Sequence, residues 1–362
     1  MPISFARGAP APECLPVEEL ADCARAALER DGTTVLSYGP AGGYRPLRDW
    51  VAERHGVEPE RVLLTNGSLQ GFVFLAQHLL AGGGPRRVLV ERPTYDRPLL
   101  ILQRLGAEIV PVAMDDEGLD LDELERALDA GEPPAFLYTI PTFQNPSGLT
   151  LAVERRRRLA EIAAERGLLV LEDDPYGLVR YEGEPLPSLF SLDESGQVAY
   201  SSSFSKTIAP GLRVGWYVLP AALESALEAA ATSTYITPVL LAQATVYEFL
   251  RRGNFEPNVE RVAGLLRTRR DAMLGALDAC FPDTASWSRP EGGYFLWLQL
   301  PGGTHADALL AAAEGAGVTF VRGADFGGGA DTARLAFSFA SPDEIRVGIE
   351  RLAELLPALT AA

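Results

Sequence analysis

From about residue 60 to residue 220, short apolar runs alternate with longer stretches whose apolar residues recur every three or four positions. A short apolar run bounded by turn formers reads as a buried strand, and the three-to-four spacing reads as a helix with one packed face. The strands predicted are 61–65, 87–90, 108–112, 135–139, 168–171, 198–202 and 214–219, with helices over 68–80, 96–105, 121–130 and 153–166 between them. That alternation implies parallel strands joined by crossover helices. Helical spacing dominates 220–279. Beyond it, Gly292 and Gly293 introduce the apolar run Tyr294–Leu298, followed by apolar segments at 318–321 and 333–339 and a closing helix over 342–356.

The expected architecture is therefore α/β, a large domain with a mostly parallel seven-stranded sheet flanked by helices, plus a small α+β domain. The large domain is expected over 35–280, and the small one over 281–362 completed by residues 1–34. A chain of 362 residues with 47% hydrophobic positions can bury cores of that size. Two segments are read as ordinary structure. The run Arg155–Arg158 reads as a solvated helix face, and 121–130 as packing rather than a site.

Charge and cysteine content narrow the function classes. A formal net charge of −17 opposes nucleic acid and anionic membrane surfaces. Cys14, Cys23 and Cys280 are widely spaced, with no metal-type or redox pairing, which suits a reducing cytosol. His55, His78 and His305 are scattered, so a His/Cys metal centre is not expected. No stretch approaches the roughly 20 apolar residues of a membrane span, and residues 1–16 are broken by prolines rather than built as a signal peptide. The compartment expected is the cytoplasm.

Chemistry gathers where the strands end, the edge of an open parallel sheet at which ligands bind. The first group is Ser203-Phe204-Ser205-Lys206-Thr207, with Arg213 seven residues after the lysine. A lysine at the end of a buried strand is partly desolvated, which lowers its pKa and frees a neutral amine able to form a Schiff base with a carbonyl such as that of pyridoxal phosphate (PLP), the alternative being an ordinary strand-end lysine. Ser203, Ser205 and Arg213 are the donors that a phosphate beside such an aldehyde needs. In Thr65-Asn66-Gly67-Ser68-Leu69-Gln70, a strand turns through glycine into a helix whose N-terminus suits a phosphate; an ordinary serine cap would look the same. The strand ending in Glu172-Asp173-Asp174, with Tyr176 close behind, offers a carboxylate for a protonated pyridine nitrogen and a phenol for a ring oxygen, the alternatives being a helix cap or a metal site. Asn145-Pro146 in the loop after 135–139 can present an amide to that same oxygen, or be a plain turn.

Taken in order, Tyr38, Asn66–Gln70, Pro93-Thr94-Tyr95, Gln144–Gly148, Asp173–Tyr176, Ser203–Lys206, Arg213, Gly292-Gly293 and Arg334–Ser338 resemble the class I/II aminotransferases, PLP fold type I. The likeness is to the branch containing 2-aminoadipate and kynurenine aminotransferases. It implies an enzyme that passes an amino group from an amino acid to a 2-oxo acid through a Schiff base on Lys206. By the same resemblance Lys206 is also the proton-moving base, Asp173 the pyridine-nitrogen partner, Asn145 and Tyr176 donors to the ring oxygen, and Tyr95 the aromatic residue stacked on the ring. Ser68, Leu69, Gln70, Ser203, Ser205 and Arg213 hold the phosphate, the helix-start residues mainly through backbone N–H groups. Tyr38 reaches the phosphate of a partner subunit in a homodimer, Arg334 clamps the substrate α-carboxylate, and Gly8 and Arg7 border the substrate. Three positions depart from the family pattern: Ser147 for threonine, Arg322 for the proline before Gly323, and Arg7 for a small residue. Two other functions use many of the same parts: a non-transaminating PLP enzyme acting on an amino acid (cyclase, lyase or oxidase), and a PLP-binding regulatory domain, which the acidic charge opposes.

Overall fold

The computed structural model describes residues 2–360; residues 1, 361 and 362, which fall in the expected domain ranges, lie outside the described residues. Its centre is a sheet whose strand order is Val62–Thr65, Gly215–Val218, Val198–Ser203, Val170–Asp173, Phe136–Thr139, Arg87–Arg92, Glu108–Asp115 and Gly118–Leu119. The strands from Val198–Ser203 through to Glu108–Asp115 pair in parallel, while Gly215–Val218 runs against both its neighbours. The seven expected strands are all present. The eighth, two residues long, closes the edge as an antiparallel hairpin and is too short to leave a periodic signal.

Central strands are covered on both faces, so their apolar runs are nearly continuous. Leu89, Leu137 and Val170 pack beneath the helix Val153–Arg166 on one face. Val88, Val90, Tyr138 and Leu171 pack with Phe72 and Leu75 of the helix Ser68–Leu79 on the other. Fully burying such side chains contributes about 1.5–3 kcal/mol each, which holds the sheet edge still beneath the site.

A second sheet, Ser286–Trp287, Phe295–Gln299, Thr332–Ala336 and Val321–Arg322, is antiparallel. The N-terminal Ile3–Ser4 pairs in parallel with Val318–Thr319, and the Ala336 N–H donates to the Phe5 carbonyl oxygen at 2.8 Å. The expected segment 318–321 is thus split at Phe320 between two sheets. The helix Val17–Val35 buries Cys23, Ala27 and Val35 with the large-sheet layer against Leu240–Arg251. The far end of Phe255–Cys280 buries Met273 and Leu277 in the core of the small sheet. Apolar faces, not sequence neighbours, decide which core a helix joins.

Arg155, Arg157 and Arg158 do form a solvated, ion-paired face. Arg156 does not. It is 1% exposed, and its guanidinium donates to Leu151 O, Pro187 O, Pro141 O and Thr142 Oγ1, tying both ends of the 141–151 loop to the helix. Among the described residues no helix is long and apolar enough to cross a membrane, and no acidic, histidine and cysteine groups cluster as a metal centre.

Candidate active site

Two adjoining cavities of about 320 and 180 Å3 open between the sheets and share Tyr95, Asn145, Tyr176 and Lys206. Into them point residues from the C-terminal ends of the parallel strands, facing Arg334 of the small sheet.

Phe204, fully buried among Trp50, Trp216 and Phe255, fixes the turn after Val198–Ser203 and so places Lys206. Lys206 Nζ donates to the Gly8 carbonyl oxygen at 2.7 Å, and the Tyr294 hydroxyl donates to the Lys206 carbonyl at 2.8 Å. Burial, reinforced by the positive charges of Arg334 and Arg213, brings the Lys206 amine down to about 8. Near neutral to mildly alkaline pH a substantial share is therefore a neutral nucleophile.

Side chains alternate along a strand, and this separates the three consecutive carboxylates. Glu172 turns away and accepts from Leu189 N and Phe190 N at 3.0 and 2.8 Å, capping the short helix Leu189–Leu192. Asp174 accepts from Gly177 N and the Tyr200 hydroxyl. Asp173 alone of the three lines a cavity. Its Oδ2 accepts from the Tyr138 hydroxyl at 2.8 Å, while its buried Oδ1 finds no hydrogen-bond partner among the described residues. Burial pushes the Asp173 carboxyl up to about 6, opposed first by the Tyr138 hydroxyl.

Arg334 stands 8% exposed on Thr332–Ala336, its guanidinium between the rings of Phe295 and Phe326, 4.3 and 4.7 Å from their centroids. It donates to Asn145 Oδ1 at 3.0 Å and Ala6 O at 2.8 Å, and its buried Nε has no acceptor among the described residues. The contact holds the oxygen side of Asn145 on the arginine and leaves the amide nitrogen to donate elsewhere. Sequence reading assigned Asn145 and Arg334 separately; that they bond each other across 189 positions carries no local signal.

The phosphate-type cradle is built from close approaches. Gly67 lies at φ +88°, and a Cβ there would fall 2.0 Å from an Arg213 nitrogen, so only glycine fits. Arg213 itself holds φ 54°, a costly value for a non-glycine residue, beside Ser205 Oγ at 3.5 Å, and Ser203 Oγ donates to Ser205 Oγ at 2.7 Å. Ser68 begins its helix at the cavity.

Four expected residues line neither cavity with their side chains, as is expected for Tyr38 if it serves a partner subunit and for Leu69 and Gln70 if they act through backbone N–H groups. Gln70 turns its side-chain oxygen back to Asn66 N, and its own N–H donates to Gly67 O, so it closes the turn. Leu69 packs against the core. The Arg7 guanidinium stacks 4.2 Å from the Phe339 ring centroid, outside both cavities, and only its neighbour Gly8 reaches the site. Tyr38 is 83% exposed and lines neither cavity. Asp96, Phe295, Val321 and Phe326, which carry no site signal in the sequence, line the outer wall, together with Arg97, whose role the sequence leaves open. Val321 opposes Arg334 in the strand register, a pairing visible only once the strands are aligned.

The donor set fits PLP. An amine of lowered pKa suits its aldehyde, the unpartnered Asp173 oxygen suits a ring N–H, and a cradle with an exposed arginine and two serines suits its phosphate.

Residues 11–352 match the family described as aminotransferase class I and II. The 2-aminoadipate transaminase of Thermus thermophilus is 42% identical over 366 residues, covering 99% of this chain and 91% of that one. Aromatic-amino-acid aminotransferase 1 of Thermococcus litoralis is 36% identical, covering 98% and 88%. The crystal structure of LysN, the alpha-aminoadipate aminotransferase of Thermus thermophilus, complexed with N-(5'-phosphopyridoxyl)-L-leucine, superposes with a TM-score of 0.93 at 40% identity, covering 99% of this chain and 93% of that one.

Proposed function

This chain belongs to the class I and II aminotransferases and is a PLP-dependent enzyme that moves an amino group from an amino acid to a 2-oxo acid; on that premise we propose which of its residues do the work. When bound, PLP supplies an aldehyde for covalent attachment and a cationic ring that accepts electrons from the substrate Cα. Lys206 Nζ would hold that aldehyde covalently and, when free, would act as the base that moves the proton at the substrate Cα. The observation that carries this reading is the desolvated Lys206 amine in one cavity with the unpartnered Asp173 oxygen.

The Asp173 carboxylate would hold the ring N–H and keep the ring cationic. Asn145, through its amide nitrogen, and Tyr176, through its phenol, would donate to the ring oxygen, with Tyr95 beside the ring. Ser68, Ser203, Ser205 and Arg213 would bind the phosphate. Arg334 binds the α-carboxylate: its flat fork suits the two oxygens, and two aromatic rings already fix its plane. The substrate side chain then faces the wall formed by Asp96, Arg97, Val321 and Phe326.

The same proposal includes a homodimer and a cytoplasmic setting. Leu36, Tyr38, Ile236 and Val239 are 70, 83, 57 and 55% exposed. Their two loops touch: the Tyr235 hydroxyl donates to Ala41 O, and Val239 N donates to Asn66 Oδ1 beside the cradle. An apolar face at the rim of an arginine-bearing cradle supports a second copy placing Tyr38 there. The test is the half-reaction: holoenzyme mixed with 2-aminoadipate, glutamate, leucine and aromatic amino acids should show its visible band decay as the matching 2-oxo acid appears. Consumption of amino acid without a 2-oxo acid would overturn it.

A further inference from the structure

Behind Asp173 lies a neutral hydroxyl rather than a counter-charge. Tyr138 is on the neighbouring parallel strand, and the register pairs it with Leu171, two residues before Asp173. Both side chains therefore project from the same face of the sheet, as diagonal neighbours. Tyr138 is 1% exposed, and the edge contact of its ring with Phe72, centroids 5.4 Å apart, leaves the phenol little freedom. Its hydroxyl donates to Asp173 Oδ2 at 2.8 Å. Asp173 lines a cavity, its other oxygen Oδ1 is buried without a hydrogen-bond partner among the described residues, and the Ser201 hydroxyl opposite in the strand register also favours the charged carboxylate.

We infer that Tyr138 is a positioning residue: by engaging Oδ2 it fixes the orientation of the Asp173 carboxylate at the cavity and holds it in the charged state that a cofactor ring nitrogen requires. This rests on Asp173 being the partner of that nitrogen. The surroundings make such help necessary. Asp173 is faced by Glu91 from Arg87–Arg92, by Asp174 on its own segment, by Tyr217 from Gly215–Val218, and by Tyr95, Tyr176 and Lys206 at the cavity. Burial, Asp174 and Glu91 all favour the protonated acid, and the Tyr138 hydroxyl is the first influence opposing them. A hydrogen bond to a carboxylate disfavours its protonation, so its loss should raise the pH at which Asp173 ionises.

The experiment compares full-length apoprotein of wild type, Tyr138→Phe and Asp173→Asn, measuring PLP affinity from about pH 5 to about pH 9. Affinity is read as the ratio of variant to wild type, so that titration of Lys206 and of the cofactor phosphate cancels. Tyr138→Phe should bind nearly as wild type at the alkaline end and about tenfold more weakly near pH 6, the effect of one charged hydrogen bond. Asp173→Asn should bind weakly throughout. In parallel, the carboxyl 13C resonance of Asp173 in the apoprotein should titrate near 6 in wild type and about one pH unit higher in Tyr138→Phe. Should Tyr138→Phe not fold, a fluorinated tyrosine at 138, a stronger donor, should move that midpoint down instead. A loss equal at every pH, or an unmoved midpoint, with Asp173→Asn impaired, overturns the role of Tyr138 alone. Wild-type affinity in Asp173→Asn overturns the ring-nitrogen reading of Asp173 and this inference with it.

Discussion

Lys206 Nζ donates to the carbonyl oxygen of Gly8 at 2.7 Å, joining a strand end of the large sheet to an N-terminal segment 198 positions away. The contact depends on the absence of a side chain: a Cβ on Gly8 would fall 2.5 Å from two ring carbons of Phe295. Phe295 also covers one face of Arg334, so the amine, the N-terminal segment and the carboxylate clamp share one packed junction.

Gly8→Ala should therefore push Phe295 against the clamp. The expected outcome is a KM for the amino acid raised about tenfold with PLP affinity near wild type, read from half-reaction kinetics and cofactor titration. An unchanged KM would show that the Phe295 ring gives way freely.

Lys206→Ala should lose essentially all turnover, because one amine serves as both anchor and base. Borohydride should label wild-type holoenzyme at Lys206; labelling of another residue would overturn the assignment. The pH dependence follows from the lowered pKa. The amine is neutral, and nucleophilic, above its pKa, so capture of PLP by the apoprotein should rise with pH through a midpoint near 8, against the 10.5 of a free lysine.

Arg334→Lys keeps the charge and loses the fork. Losing one hydrogen bond to a carboxylate costs about 1.5–3 kcal/mol, or roughly 10- to 100-fold in kcat/KM. An amine substrate lacking the α-carboxylate should show no such difference between the two proteins. If it does, the arginine acts through Asn145 rather than on substrate.

Asp173→Asn should slow the proton-removal step on the order of 10²- to 10³-fold, since a preorganised charge opposite developing charge is lost. Stopped-flow decay of the holoenzyme band is the measurement. Near-normal rates would remove Asp173 from the mechanism.

Co-expressed Lys206→Ala and Tyr38→Phe chains should regain activity in proportion to the heterodimer formed, provided Tyr38→Phe alone is impaired. Each heterodimer would pair an intact Lys206 with the other subunit's intact Tyr38. A monomer in sedimentation at working concentration, or no recovery on mixing, would remove the shared site.

Much of this molecule is written locally. Apolar runs that end in Thr65, Asp173 and Ser203 announce both a buried strand and the polar residues at its tip, because a strand inside a sheet is apolar along its length and meets solvent only at its ends. Strand order along the chain, the ligand-bearing edge and the candidate amine Lys206 all follow from that pattern. Two helix assignments show where local reading stops. The Arg155–Arg158 run has one composition and two fates, since only Arg156 falls on the helix face turned toward the carbonyls of 141–151. Val17–Val35, near the N-terminus, joins the large-sheet core because its apolar stripe meets Leu240–Arg251 there.

That a strand-end lysine, a cluster of carboxylates and a phosphate-type turn share one edge of a parallel sheet is legible along the chain, because each is set by residues within a few positions of a strand end. Which carboxylate lines the cavity, that Arg334 bonds Asn145, that Gly8 and not Arg7 meets Lys206, and that Gln70 closes its own turn are set by the packed fold. Those relations depend on strand alternation relative to a particular neighbour and on contacts between segments far apart in the chain, and neither leaves a trace in local spacing.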